Sequence, residues 1–253
     1  MSLRHHEIAE TNHRILNPLV EPQLRLLGEI ARVGPGTRQL DLACGKGEML
    51  CRWAEWFGGG GIGVDLSPVF SAAARERAVE LGVADKVEIV TSEAAAYLAG
   101  PGASGTDEGA FDIVSCIGAT WIGGGLAGTI ELLRPSLRQG GLLLIGEPFW
   151  HDTPTDECLA AHSMAADDYA SLEGTFKRLH FAGLELVEMV LATPESWDRY
   201  EASQWMAVTD WLAANPEDPD HDAMVRFRDD NRRTYLRWGR RYLGWGVFVT
   251  RVK

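Results

Sequence analysis

The chain has 253 residues, with 24 Lys and Arg against 36 Asp and Glu, and a formal charge of −12. Its long-range field therefore repels phosphate backbones and anionic membranes, and nucleic acid is not an expected partner. No apolar stretch nears the roughly 20 residues that cross a bilayer, and the opening MSLRHHEIAETNHR lacks an apolar signal core, so a cytoplasmic protein with no membrane partner is expected. Cys44, Cys51, Cys116 and Cys158 show no C-x-x-C spacing, and no Cys/His cluster has ligand spacing; they read as reduced thiols, with no metal site.

Length and composition favour a single domain over 1–253 with a smaller cap. From residue 38 to 147, short β-branched or Leu-rich runs alternate with helical segments, the pattern of an α/β fold with parallel strands and crossover helices. RQLDLA is the first strand, and the loop CGKG follows it. Met49, Leu50, Trp53, Ala54 and Phe57 then recur at helical spacing until the glycines at 58–61. GIGVDL is the second strand; Ser67 caps the next helix and Pro68 opens it. VEIVT is the third strand, and SEAAAYLAG leads into a polar loop, PGASGTDEG. FDIVSCIG is the fourth strand, and a helix through TIELL should break at Pro135. After a Gly140-Gly141 turn, LLLIGEP is apolar on both faces, as a central strand must be. Residues 165 to 182 read as a crossover helix, LELVEMVLA as a sixth strand and GWGVFVTRVK as a seventh. An N-terminal helical arm covers 1–37. The long stretch 194–243 between the last two strands must carry its own structure and reads as a two-helix insert or lid. In its second helix Met224, Phe227, Tyr235, Trp238 and Tyr242 share one stripe, with arginines on the other.

The chemistry is carried by LDLACGKGEML at 40–50 and by Asp65 at the end of the next strand. Gly45 and Gly47 let the backbone turn and approach a ligand, the following helix offers free N–H groups, and a carboxylate about twenty residues on can accept from ribose hydroxyls. This describes a nucleoside-cofactor site without choosing between S-adenosylmethionine (SAM) and a dinucleotide. Leu50 occupies the place where a dinucleotide fingerprint wants a small residue, and Asp41 before the loop suits a ligand with an α-ammonium group better than a pyrophosphate. A nicotinamide-dependent oxidoreductase is therefore the weaker reading, and a SAM-holding sensor or inactive homologue is the other alternative.

With the D-x-x-x-G-x-G loop, the ribose acid, FDIVSCIG and the R-x-G-G turn, the chain resembles the class I SAM-dependent methyltransferases over residues 38 to 253. HRILNP, GATWIGGG, GEPFW, WDRYEA and GWGVF more narrowly resemble an uncharacterised bacterial subgroup of the YjhP type. The resemblance implies a Rossmann-like sheet of order 3-2-1-4-5-7-6 with strand 7 antiparallel. It also implies methyl transfer from SAM, with S-adenosylhomocysteine as the product. Residue by residue, Asp41, Gly45 and Gly47 would line the methionine portion. Asp65, with Leu66 beside it, would hold the ribose, Glu93 and Ala94 the adenine, and Cys116 to Gly118 the wall after strand 4. Ala43 departs from the usual glycine and is expected to keep a negative φ.

Ligands of open α/β sheets bind beyond the carboxyl ends of the strands. The acceptor, a small molecule with an N, O or S nucleophile, is expected there. Trp121, Trp150, Trp197 and Tyr200, with Glu147, are candidates for an aromatic and acidic pocket that takes an amine. The alternative for the tryptophans is core packing. Methyl transfer chiefly needs alignment and exclusion of water; where a base is required, Glu147 and His151 are the candidates. His5, His6 and His13 could reach the site only if the arm folds over it. Assembly is left open between monomer and homodimer.

Overall fold

The computed structural model describes residues 2–100 and 110–253; the expected polar loop at 101–109 lies outside them. Seven strands form one sheet of order β3-β2-β1-β4-β5-β7-β6. They are β1 (Arg38–Leu42), β2 (Gly60–Asp65), β3 (Val87–Thr91), β4 (Phe111–Ile117), β5 (Leu137–Trp150), β6 (Leu184–Leu191) and β7 (Leu243–Val252). β1 to β5 pair in parallel, whereas β7 runs antiparallel between β5 and β6. The sheet matches the implied order and orientation, and the helices cover both of its faces.

Period-two alternation sorts the core into two layers. Leu143, Ile145 and Phe149 of β5 and Phe248 of β7 face one side, with Ile130 of α6 (Leu126–Leu133) and Leu179 of α8 (Leu172–Phe181). Leu144, Val247 and Val249 face the other, against Leu24 and Leu27 of α2 (Glu21–Ile30) and Trp53 of α3 (Glu48–Phe57). The fully buried Trp53 is anchored by its Nε1, which donates to the carbonyl of Leu24 at 2.9 Å. Gly58, in the left-handed region at φ 79°, ends α3. Ser67 caps α4 (Pro68–Glu80) by accepting from the Phe70 N–H.

Two local expectations change. The helix read over 165–182 starts only at Leu172, because the Ser171 side chain caps it by accepting from the Gly174 N–H. The residues before it turn where the Asp168 carboxylate accepts from the Ala165 N–H at 2.8 Å. A separate helix, α7 (Asp156–His162), precedes that turn. The Gly140-Gly141 turn is a bulge inside β5 instead of a boundary: Leu137 pairs with Phe111 and Leu142 with Ile113, so the extra residues loop out within one strand.

Beyond β6, α9 (Pro194–Ala214) and α10 (His221–Thr234) pack on each other, and a π-helical turn at Tyr235–Gly239 leads toward β7. Met224, Tyr235 and Tyr242 are buried while Arg226, Arg233, Arg237 and Arg240 are exposed, as the two stripes require. α1 (Leu3–Ala9) packs against α9, with Ile8 and Ala9 beside Val208, Leu212 and Met224. The chain start is thus fastened to the cap.

Candidate cofactor site

A cleft of about 230 Å³ opens at the carboxyl ends of β1, β2 and β4. Asp41, Ala43, Gly45, Asp65, Leu66, Gly118 and Trp121 line its sheet side. The opposite wall is Leu3, His6, Arg14 to Asn17 and Leu19 of the arm, together with Tyr200 of α9.

The two carboxylates hold the sheet side together. Asp65 ends β2 and is nearly buried; its Oδ2 accepts from the Gly45 N–H and its Oδ1 from the Ser67 N–H, both at 2.8 Å. It thereby ties the glycine loop to the start of α4. Burial raises the carboxyl of Asp65 above its ordinary range, against the pull of those two N–H groups. Asp41 accepts from the Ser115 hydroxyl at 2.6 Å. Burial pushes its carboxyl up to about 7, with Asp65 adding to the rise. Two desolvated carboxylates facing one cleft favour a cationic ligand, whose charge would stabilise both in their ionised forms.

Both glycines take the left-handed turn expected of the loop, and each also has a packing reason to lack a side chain. Gly47 sits at φ 66°, and a Cβ there would come within 2.9 Å of Ala74 Cβ, so this glycine lets α3 and α4 approach each other. Gly45 sits at φ 57°, and its Cβ would meet Leu16 Cδ1 of the arm at 2.6 Å. Ala43, expected at negative φ, instead lies at φ 57°, so the loop keeps a left-handed turn that the family usually fills with glycine.

Lys46 was not singled out in the sequence, yet it joins the two walls. Its ammonium donates to the carbonyls of Glu10 (2.8 Å), Thr11 (3.1 Å) and His13 (2.7 Å). Desolvation lowers the pKa of this amine despite the nearby Glu10. Glu7 accepts from the Ser67 hydroxyl at 2.5 Å, a second tie between arm and sheet. The arm does fold over the site: His6 lines the cleft, and His13 stacks on Tyr200 with ring centroids 4.7 Å apart. A cation inside a glycine loop was the available signal. Its partners are backbone carbonyls about thirty residues upstream, which leave no mark on sequence spacing.

The remaining candidates divide sharply. Tyr200 lines the cleft, and Trp121 stands at its rim, 65% exposed. Glu147 does not line it: it shares the face of Ile145 and Phe149, is 1% exposed, and burial pushes its carboxyl up to about 7. His151 lies exposed beyond β5 with its ring edge-on to Phe149 at 5.0 Å. Trp150 is core, packed with Cys158 and Tyr242, and its Nε1 donates to the carbonyl of Ala166 at 3.2 Å. Trp197 packs on the α2 and α3 side of the core and donates to Glu201 Oε1 at 3.0 Å. Glu93 and Ala94 begin α5 (Ala94–Ala99) after β3, outside the cleft lining, with Glu93 exposed. Cys116 turns its side chain into the core, where burial pushes the thiol up to about 12, so Ile117 and Gly118 of that wall line the cleft and Cys116 does not. Among the described residues, no group of three or more His, Cys, Asp or Glu side chains could hold a metal ion, and no helix is long and apolar enough to cross a membrane.

Comparison with known proteins bears on the family and the fold. A methyltransferase domain family matches residues 40–141. The uncharacterised protein YjhP of Escherichia coli K12 is 44% identical over 245 residues, 96% of this chain and 95% of that one. A SAM-dependent methyltransferase from Geobacter sulfurreducens, crystallised with S-adenosylhomocysteine, superposes with a TM-score of 0.93 at 42% identity, covering 100% of this chain and 99% of that one. Its counterpart from Thiobacillus denitrificans, also with S-adenosylhomocysteine, gives 0.92 at 41% identity with the same coverage. The crystal structure of YjhP gives 0.92 at 42%, covering 99% and 100%. The chain thus belongs to the YjhP-type class I SAM-dependent methyltransferases.

Proposed function

We propose that this chain methylates a small-molecule acceptor that enters between Trp121, Tyr200 and the N-terminal arm. The observation that carries the reading is the pair of buried carboxylates, Asp41 and Asp65, at a cleft beyond the carboxyl ends of the strands. In this reading Asp65 accepts from ribose hydroxyls with the lone pairs its two N–H donors leave free, and Leu66 packs beside the nucleoside. Asp41 faces the methionine ammonium, and Gly45, Ala43 and Gly118 present backbone to the rest. Glu93 and Ala94 stay as the adenine-side candidates at the entry to α5. SAM supplies a methyl group already activated by a neutral leaving group. The protein's share of the work is therefore alignment and exclusion of water, which a cleft closed by the arm is built to provide.

Calorimetry with S-adenosylhomocysteine and SAM tests the cofactor half. Asp65→Ala should weaken both by about 100-fold, roughly the loss of two charge-assisted hydrogen bonds. Preferential binding of NAD, or an unchanged affinity in the variant, would sink the reading. Release of S-adenosylhomocysteine over a panel of amines, phenols, thiols and carboxylates tests the acceptor half, and turnover only with a macromolecule would contradict it.

A further inference from the structure

The sheet order puts β2 and β4 on opposite sides of β1, so the cleft has a β2 end and a β4 end. Asp65, Leu66 and Phe70 belong to the first. At the second, Ile15 and Leu19 of the arm, Leu24 of α2, Met49 of α3 and Ile117 of β4 line the cleft. The same five side chains belong to one apolar cluster, the core layer between the sheet and the helices α2 and α3. The cleft therefore extends from the strand ends into that layer as an apolar lobe. Its mouth is apolar as well, since Trp121 and Leu3 line the cleft while 65% and 39% exposed.

The charged groups of the cleft lining are engaged by the protein itself. Lys46 is held by three arm carbonyls, and Glu48 accepts from Arg77 Nε at 2.7 Å and from Arg52 Nε at 3.0 Å. Asp65 accepts from two N–H groups, Asp41 accepts from Ser115, and Arg14 pairs with Glu80 on the surface at 3.4 Å. His6 sits edge-on to Phe70 at the β2 end, with ring centroids 5.5 Å apart. An ion carried into the lobe would leave water with no opposite charge to meet it. One polar atom beside the lobe is bare. Asn17 lines the cleft between Leu16, which covers Gly45, and Leu19; its Oδ1 is shielded from solvent and has no hydrogen-bond partner among the described residues. Tyr200 lines the same wall, but its hydroxyl already donates to Glu10 at 2.6 Å. An amide oxygen accepts and does not donate, so Asn17 asks for a single donor.

We propose that the acceptor is an uncharged molecule whose aliphatic or aromatic body fills the lobe between Leu19, Leu24, Met49 and Ile117, and which offers one O–H, N–H or S–H to Asn17 Oδ1. Burial of the body supplies the affinity, and the single hydrogen bond fixes its orientation. Phenols, indoles and apolar thiols have this form. Carboxylates, phosphate esters and alkylammonium ions do not. The amine expected of an acidic pocket loses its partner with Glu147, which is outside the cleft lining. Asp41 does not replace it, because under the proposed function that carboxylate faces the methionine ammonium. The assignment rests on the methyltransferase reading, which puts the cofactor at Asp65 and Asp41 and leaves the β4 end to the acceptor, and it names the substrate class of that same site.

The test uses the full chain saturated with S-adenosylhomocysteine and four probes of one shape at about pH 7: para-cresol and para-fluorotoluene, both neutral, para-toluate, an anion, and para-methylbenzylamine, a cation. By calorimetry para-cresol should bind at least about tenfold more tightly than either ion. It should exceed para-fluorotoluene, which lacks the donor, by about three- to tenfold, the net worth of one hydrogen bond. Asn17→Leu should bring the two neutral probes to within about twofold. Isotope-labelled methionine methyls report the place by NMR. The Met49 signal, assigned by Met49→Leu, should move when para-cresol is added, while those of Met189 and Met206, exposed on β6 and α9, stay still. An ion matching para-cresol, no binding by any probe, or binding that leaves Met49 unmoved would each overturn the assignment. So would an Asn17→Leu chain that loses affinity for S-adenosylhomocysteine yet keeps the cresol preference, since Asn17 would then serve the cofactor. Failure of the wild-type chain to bind S-adenosylhomocysteine would overturn the methyltransferase reading instead.

Discussion

Two carboxylates, Asp65 on the sheet side and Glu10 in the arm, are held by opposite means. On the sheet side, Asp65 bonds the backbone of Gly45 and Ser67, and the turns are set by residues at positive φ. On the cap side, side chains bond side chains across more than 180 residues of sequence, as Tyr200 and Gln204 do to Glu10. A wall built from backbone tolerates little change in residue size, whereas a wall built from side chains can be retuned by exchanging them. Under the proposed function the cofactor meets the first wall and the acceptor meets the second.

Four substitutions would break or sharpen this contrast. The largest effect is expected of Gly47→Ala: a left-handed φ of 66° and a Cβ 2.9 Å from that of Ala74 should together cost about 2–4 kcal/mol in denaturant-measured stability. A loss confined to cofactor affinity, with normal stability, would mean that the glycine serves the ligand after all.

Lys46→Met removes the ammonium that three arm carbonyls share. Stability should fall by about 2 kcal/mol. Limited proteolysis should then cut within residues 2–20, and S-adenosylhomocysteine should leave faster. Protection equal to that of the wild type would show that the remaining ties, the Glu7–Ser67 hydrogen bond among them, hold the arm without the ammonium.

Glu147→Gln separates buried charge from the cleft. The folded carboxyl keeps its proton to about pH 7, against an ordinary value of 4.5. Between those limits the native chain is the more protonated form, so this group makes stability fall as pH rises from about 4.5 to 7. The glutamine variant should lose that part of the decline and be more stable than the wild type by about 2 kcal/mol at pH 8. Its affinity for S-adenosylhomocysteine should not change; an altered affinity would return Glu147 to the site.

The smallest effect belongs to Ala43→Gly. Relief of φ 57° outweighs the added freedom of the unfolded chain and should raise the melting temperature by a few degrees, worth about 0.5–1 kcal/mol. A lowered melting temperature would show that the Ala43 methyl, which packs on the core cluster, matters more than the backbone.

The parts legible in the sequence were those with local signatures. Alternation and glycine punctuation located the strands, and the spacing from Gly45 to Asp65 placed a loop and a carboxylate that the structure joins by one hydrogen bond. The candidates that failed to gather did so for a geometric reason. Glu147 shares the face of Ile145 and Phe149, since a strand points alternate side chains the same way, and nothing in GEPFW says that this face turns into the core. Trp150 and Trp197 followed the ordinary burial preference of large aromatics. Glu10, His13 and Glu201 were not foreseen as a group, because they meet only where the arm crosses α9.

The position of the two chain ends has a practical use. β7 finishes beside the first residue of β6, and the Lys253 N–H reaches the carbonyl of Gly183 at 3.1 Å, on the rim of the sheet remote from the cleft. Leu3 and His6, by contrast, line the cleft proposed for the cofactor. A fluorophore attached near Ser2 would therefore register occupancy, while one at Lys253 would be blind to it, and the pair makes a ratiometric sensor within a single chain.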